Sequence, residues 1–216
     1  MRSRDPFGAA VEKLRGQIRR GEIAPGEPLI VLDLARVLSF SATPVREALA
    51  YLAGEGLIDG RREKLRGYAT WTLTAVDLAD LYRLHATLVL LALGEAARRG
   101  AQLDLGRALA GADDLATAAG YARATELVFD RIVRGAGSAV IRRAHRVVAD
   151  RLHLVRLLEP SILTEAAQEL RNLAAFNDAG ALLAQAIRTY HRRRAADSER
   201  LLAAAQRRAS AGPSAP

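Results

Sequence analysis

The sequence predicts a mostly α-helical protein in two parts: a small unit of helices and strands, followed by an all-helical antiparallel bundle. Three observations carry this expectation. Residues 1–74 are punctuated by Gly and Pro, whereas almost everything after them is helix-forming. Apolar residues recur at helical spacing along most of the chain and alternate as in a strand only after Gly67. The 216 residues are half hydrophobic, with a net charge of +8 and a mean hydropathy of +0.01. That is a folding composition long enough to bury a core. The expected division is 1–74 and 75–208, with a disordered Ser/Gly/Pro/Ala tail over 209–216.

In the first part, Phe7, Ala10, Val11, Leu14 and Ile18 define a helix over residues 7–20, which Gly21 ends. Ala24-Pro25-Gly26 reads as a turn and Leu29–Ile30 as a short extended piece. A second helix is expected over 31–38, with Leu34, Ala35 and Leu38 inward. Ser39-Phe40-Ser41 is a tight turn. Ser41 is placed to cap a third helix, with Pro44 in its first turn, running to about Gly54. An extended segment opens at Gly56-Leu57-Ile58, with a turn at Asp59-Gly60, a polar loop over 61–66 and a second break at Gly67. Residues 68–73 alternate as a strand. Two helices joined by a three-residue turn and followed by a two-stranded ribbon are the layout of a winged helix-turn-helix.

In the second part, Thr74 with Asp77 marks a helix start. Helices are expected over roughly 75–99, 103–118, 121–134, 138–159, 161–175, 178–188 and 195–209. The clearest amphipathic stripe is Val140, Ala144, Val147, Val148, Leu152, Val155 and Leu158. An antiparallel bundle accommodates them.

Composition removes several function classes. No cysteine is present, so neither disulfides nor thiolate chemistry can operate. The longest apolar run, Leu88 to Leu93, is far shorter than a membrane helix needs. Met1 to Gly8 has no apolar stretch behind its charges, so a cytoplasmic location is expected. No phosphate loop and no Ser-His-Asp arrangement is visible, so an enzyme is not expected. The positive charge favours anionic partners such as DNA without locating the contact. Residues 1–70 carry 12 basic and 9 acidic residues, and only Lys13 and Lys64 are lysines.

The stretch Gly21 to Ile58, "GEIAPGEPLIVLDLARVLSFSATPVREALAYLAGEGLI", resembles the winged helix of GntR-type regulators. Pro25-Gly26, Leu34-Ala35, Ser41, the run Thr43 to Leu49, and Glu55-Gly56-Leu57 carry the resemblance, and Arg66-Gly67 matches the usual wing tip. It implies double-stranded DNA as partner, read by a homodimer on a palindromic operator, commonly in repression. The third helix would enter the major groove. Arg46 is the candidate for a base contact, because a guanidinium bonds guanine at two points. Ser41 and Thr43 offer hydroxyls to phosphate, and Arg36 can reach the backbone. Arg61, Arg62, Lys64 and Arg66 would line the wing, with Gly67 permitting a turn or close approach. The plainer readings are ordinary solvated helix charge for Arg46, a soluble loop for the wing arginines and a simple cap for Ser41. Two departures reduce the expected affinity: Ala42 stands where the family usually has Arg, and Leu32 stands where a polar residue is common.

The helices after Thr74 resemble the FadR-type subfamily, in its shorter VanR-like form, through "LTAVDLADLYRLHATL" and "ELVFDRIVRGAGS". Many members hold a metal with one Asp and three His inside the bundle. Carried over by register, those positions fall on Glu126, Asp130, and near Gly180 and Leu202, of which the last two offer no ligand. No metal and no other cofactor is therefore expected. Glu126 and Asp130 lie one turn apart and can take a hard cation or cationic effector, or form a solvated acidic face. His145 and His153 lie on roughly one face of their helix, and His85 replaces a residue the family uses for its effector. These five are the candidate effector residues; surface or core packing is the plainer reading of the histidines, His191 included. Two functions stay open: a regulator that senses a small molecule, and a DNA- or partner-binding protein whose helical domain only dimerises.

Overall fold

In a computed structural model, which describes residues 5–61, 67–111 and 114–210, the chain divides into two compact units. One is Met1–Leu73 together with Gln206–Pro216, and the other is Thr74–Ala205.

The first unit opens with α1 (Pro6–Arg20), whose first turn is held by the Asp5 side chain accepting from the Phe7 amide. Gly21 stops it in the left-handed region at φ 71°, where glycine carries no Cβ penalty. After β1 (Pro28–Leu29) come α2 (Val31–Leu38) and α3 (Ala42–Gly54). Ser39, at φ 58°, reverses the chain between them. Ala10, Leu14, Leu38, Val45, Leu49 and Leu52 form the centre of the core, each at most 6% exposed. Arg15 of α1 meets Glu55, just after α3, at 2.6 Å with both side chains nearly buried, which fixes α1 against the end of α3.

The ribbon differs from the expected one. β2 (Ile58–Arg61) and β3 (Gly67–Thr70) pair antiparallel, and β1 joins the other edge of β3, giving a three-stranded sheet in the order β1-β3-β2. The turn expected at Asp59-Gly60 is mid-strand: Asp59 lies opposite Ala69 and Gly60 opposite Tyr68. Asp-Gly favours a hairpin turn only in isolation, and here the ladder to β3 outweighs it. β3 also stops at Thr70 rather than residue 73, since Trp71 and Thr72 are exposed and β1 offers only two residues to pair.

The second unit contains α4 (Ala75–Arg98), α5 (Leu105–Ala110), α6 (Ala118–Gly135), α7 (Ala139–Arg156), α8 (Glu159–Ile162), α9 (Ala166–Ala174) and α10 (Ala181–Ala196); α11 (Ser198–Ser210) begins in it. Thr74 and Asp77 form a reciprocal capping box at the start of α4. The helix expected over 103–118 is instead the short α5, and α6 begins early because the Thr117 hydroxyl accepts from the Gly120 amide. The helix expected to reach residue 159 ends at Arg156. Pro160 lies in the first turn of α8, where its missing N–H costs nothing. α10 runs eight residues beyond the expected 188, since no breaker interrupts it before Asp197. The tail expected over 209–216 starts too early, as α11 continues to Ser210; residues 211–216 lie outside the described residues.

An ionic cluster ties five of these helices together. Glu159 of α8 is fully buried and accepts hydrogen bonds from Tyr82 of α4 at 2.8 Å and Tyr121 of α6 at 2.7 Å. It also takes Arg194 Nε of α10 at 2.6 Å and Tyr190 at 3.2 Å. Arg194, itself fully buried, sends Nη1 to Glu169 of α9 at 2.9 Å and Nη2 to Tyr121 at 2.8 Å. Burial pushes the Glu159 carboxyl up, but Arg194, the Tyr121 hydroxyl and Arg156 outweigh it and hold it below the ordinary range.

Candidate functional sites

The first candidate site is the outward face of α2 and α3. The inward side of α3 is spent on the core through Val45, Ala48, Leu49 and Leu52, which leaves Thr43, Arg46, Glu47, Ala50 and Tyr51 exposed. Ser41 is the N-cap by backbone position, at φ −74° and ψ 162°, yet its side chain makes no capping hydrogen bond. The capping contact expected of it is absent, and its exposed hydroxyl is available to an outside acceptor or donor. The first turn of α3 also lacks acidic residues, so its free amides keep their attraction for an anion.

Arg36 is exposed on α2 and pairs with Asp33 at 3.3 Å, an i,i+3 contact that holds it weakly. Arg36 and Arg46 on this face are offset by Asp33 and Glu47, and the neighbouring exposed side chains Leu32 and Val37 are apolar. Arg62, Lys64 and Arg66 lie outside the described residues, as does the side chain of Arg61, whose backbone pairs with Gly67. Gly67 opens β3 without a positive φ, and a Cβ there would have no neighbour within 4 Å among the described residues.

The second candidate site lies inside the helical unit. His85 of α4 is fully buried, with its Nδ1 2.7 Å from His191 Nε2 and its Nε2 2.9 Å from Arg156 Nη2. The proton positions follow from chemistry. A guanidinium only donates, so His85 Nε2 accepts. His85 Nδ1 therefore carries the hydrogen and donates to His191 Nε2, and His191 Nδ1–H donates to the Ile187 carbonyl at 2.7 Å. Both rings are neutral. Burial, then the Arg156 charge and the neighbouring histidines, hold His85 well below its ordinary value. Burial pushes His191 down to about 3, against the Ile187 carbonyl, which pulls upward. His145 of α7 completes the group, its ring 4.8 Å from that of His85. Burial and Arg156 lower it to about 4 in spite of Asp130 and Glu126. Phe129 of α6 packs edge-on against His85 at 5.0 Å.

The five expected effector residues thus separate. His85 and His145 join the buried cluster. Glu126 and His153 form a second contact, with His153 Nδ1 2.6 Å from Glu126 Oε1. Asp130 pairs with Arg134 at 2.5 Å, and its charge still reaches His145. His145 and His153 have different contacts, the first with the His85 ring and the second with Glu126, whose charge also reaches His145. Arg156 and His191 were missed. For Arg156 a signal existed. The expected stripe on α7 puts Val140 and Ala144 inward, yet Val140 is 80% exposed, and the buried face is His145, Val148, Ala149, Asp150, Leu152, Val155 and Arg156. Polar residues hold core positions while an aliphatic one faces water.

Two of the four positions that the FadR-type resemblance marks for a metal offer no ligand. Gly180 caps α10 and Leu202 is aliphatic, so neither is a ligand. A guanidinium donates to the His85 nitrogen that a cation would need. Among the described residues no three His, Asp or Glu side chains converge as a metal shell.

Comparison with known proteins agrees with the geometry. The chain is 33% identical over 96 residues to an uncharacterised HTH-type transcriptional regulator from the TAR-I ttuE-ttuC' intergenic region of Agrobacterium vitis, covering 44% of this chain and 53% of that protein. It is 31% identical over 81 residues to the uncharacterised HTH-type transcriptional regulator YdhC of Bacillus subtilis (strain 168), covering 38% of this chain and 35% of that one. The matches therefore span about half of the first relative's length and about a third of the second's. A solved structure from Rhodococcus sp. RHA1, described as a GntR transcriptional regulator, superposes with a TM-score of 0.66 at 20% identity, over 92% of this chain and 96% of that one. It shares the fold, mostly helical behind a winged helix-turn-helix. Residues 8–64 match the model of the bacterial regulatory proteins of the gntR family, so most of the N-terminal unit is similar to that family.

Proposed function

We propose that the protein is a DNA-binding transcriptional regulator that reads a two-fold operator as a homodimer, acting as a repressor whose FadR-type, VanR-like helical unit takes a small-molecule effector. The observation that carries the reading is the outward face of α3, where Ser41, Thr43 and Arg46 stand exposed at an N-terminus free of acidic residues. That arrangement offers hydroxyls and amides to phosphate and a guanidinium to base edges. Arg36 on α2 and the wing residues Arg61, Arg62, Lys64 and Arg66 supply further phosphate contacts.

The test is selection of bound duplexes from a random pool, followed by titration of the recovered site. Arg46→Ala is expected to lose about 1–3 kcal/mol on that site, roughly a tenfold to hundredfold weakening, and to relax preference at one position of each half-site. Ala42, standing where the family usually has Arg, removes one charge-assisted phosphate contact from each half-site, so the salt dependence is expected to be shallower than with Arg there. Recovery of no preferred duplex contradicts the reading.

Pairing is supported by an apolar stripe along α4, where Leu84 and Leu91 are about half exposed on either side of Leu88. Leu91→Asp is expected to weaken the dimer by about 2 kcal/mol in total, roughly thirtyfold, since a two-fold interface counts each change twice. Sedimentation equilibrium reads this, with unchanged helical circular dichroism as the control for folding.

A further inference from the structure

We infer that the helical unit carries an outer site, an open cleft between α4 and α10 that takes the phosphate group of a small phosphate monoester. The inference goes beyond the reading of α3 and does not rest on it. Arg83 and Ala86 of α4 and Arg188, His191, Arg192 and Ala195 of α10 line the cleft. Its volume of about 520 Å³ lies within the roughly 300–1,000 Å³ of small-molecule sites.

Three guanidiniums share this cleft, and two of them are not neutralised. Arg83 is engaged by Asp80 of its own helix at 2.6 Å, an exposed i,i+3 pair. Arg188 has no hydrogen-bond or ion-pair partner among the described residues, and Arg192 meets only the Thr189 hydroxyl, at 3.4 Å. No acidic residue occurs on α10 from Ala181 to Ala196. The cleft therefore keeps two positive charges once Asp80 is counted. His191 adds neither a charge nor a donor. Its Nδ1–H is spent on the Ile187 carbonyl and its Nε2 accepts from His85. Recognition falls on the arginines.

Their spacing selects the occupant. Arg188 and Arg192 stand one helical turn apart, so their stems start about 6 Å from each other. Two cations that close suit an occupant with both negative charges on one group. A phosphate monoester carries close to two charges at neutral pH, with three acceptor oxygens for the guanidinium donors. A monocarboxylate leaves one arginine unmatched, and a dicarboxylate spreads its charges along a chain. Ala86 and Ala195 are half-buried and short, and they offer an apolar wall to the organic part of the ester.

Calorimetric titration of the full chain with adenosine monophosphate, at low ionic strength and without DNA, tests the site. A failed titration leaves the DNA-reading account standing, and a failed duplex selection leaves the cleft standing. The expected result is saturable binding of adenosine monophosphate, none of adenosine, and binding of succinate weaker by about tenfold. Arg188→Gln and Arg192→Gln are each expected to weaken the nucleotide about tenfold. Both side chains are exposed and tie no elements together, so unchanged circular dichroism is expected as the control for folding. Arg142→Gln removes an exposed arginine of α7 that does not line the cleft, and it is expected to bind as wild type does. No saturable binding up to about 10 mM adenosine monophosphate overturns the inference. So does adenosine or succinate binding as tightly as the nucleotide, or a loss in Arg142→Gln equal to that in Arg188→Gln.

Discussion

Glu159→Ala is expected to cost the helical unit about 3–5 kcal/mol, the largest single effect on this protein's stability. The magnitude comes from what the substitution leaves behind. Arg194 is fully buried, and without Glu159 it keeps Glu169 but loses its Nε partner, while Tyr82 loses its acceptor and Tyr121 and Tyr190 lose theirs on the carboxylate. Stranding a buried charge is far more expensive than the pair is worth as a pair. Urea unfolding followed at 222 nm measures the loss, and a midpoint equal to wild type contradicts the role assigned to the cluster.

The same residue gives the protein an acid-sensitive contribution whose sign is set. The carboxyl is held below its unfolded value, so the stability it provides is complete above the unfolded carboxylate range and is lost as pH falls through the lower folded value. The difference between wild type and Glu159→Gln should therefore be constant above about pH 5 and close below about pH 4.

Leu49→Ala is expected to destabilise the N-terminal unit by about 2–5 kcal/mol, enough to unfold much of a unit this small. Leu49 is fully buried among Leu14, Val45 and Leu52, three positions after the exposed Arg46 on the same helix. The two substitutions separate the two faces of α3. Arg46→Ala keeps the fold and weakens DNA recognition; Leu49→Ala removes recognition by removing the fold. Proteolysis distinguishes them, since only the second should expose the N-terminal unit to cleavage. Equal protease resistance in the two variants contradicts the assignment of faces.

Local chemistry explains which parts of the fold were legible in the sequence. α1, α2 and α3 were bounded correctly to within a residue, because Gly21, the turn at Ser39 and the cap at Ser41 coincide with the ends of clear apolar periodicity. Asp59-Gly60 misled because a strong turn dipeptide lies inside a strand held by pairing distant in sequence. Pro160 was read as the break between two helices, whereas it lies in the first turn of the short α8, after α7 has already ended at Arg156. The face of α7 was assigned by hydrophobicity, which points Val140 inward. The structure turns the helix so that His145 and Arg156 are buried instead.

That rotation is also why the interior site was only half visible. His85 and His145 could be named as candidates from residue type, but Arg156 and His191 look like ordinary solvated charge in a chain with 32 basic residues. Their burial depends on helices far apart in sequence: His85 and His191 are 106 positions apart and Arg156 and His85 are 71 apart. No short-range pattern encodes such a meeting. Polar residues at the inward positions of α7 were the accessible sign, and a polar residue in a core position is where function and packing conflict.

The most direct test of the central claim, that the exposed N-terminal face of α3 reads a duplex groove, is the affinity of wild type and Arg46→Ala for the selected duplex, for a scrambled duplex and for heparin at two salt concentrations. The account predicts that wild type prefers the selected duplex over both competitors and that Arg46→Ala loses much of this preference with little change in the salt slope. Equal affinity of wild type for the selected duplex and for heparin would contradict it.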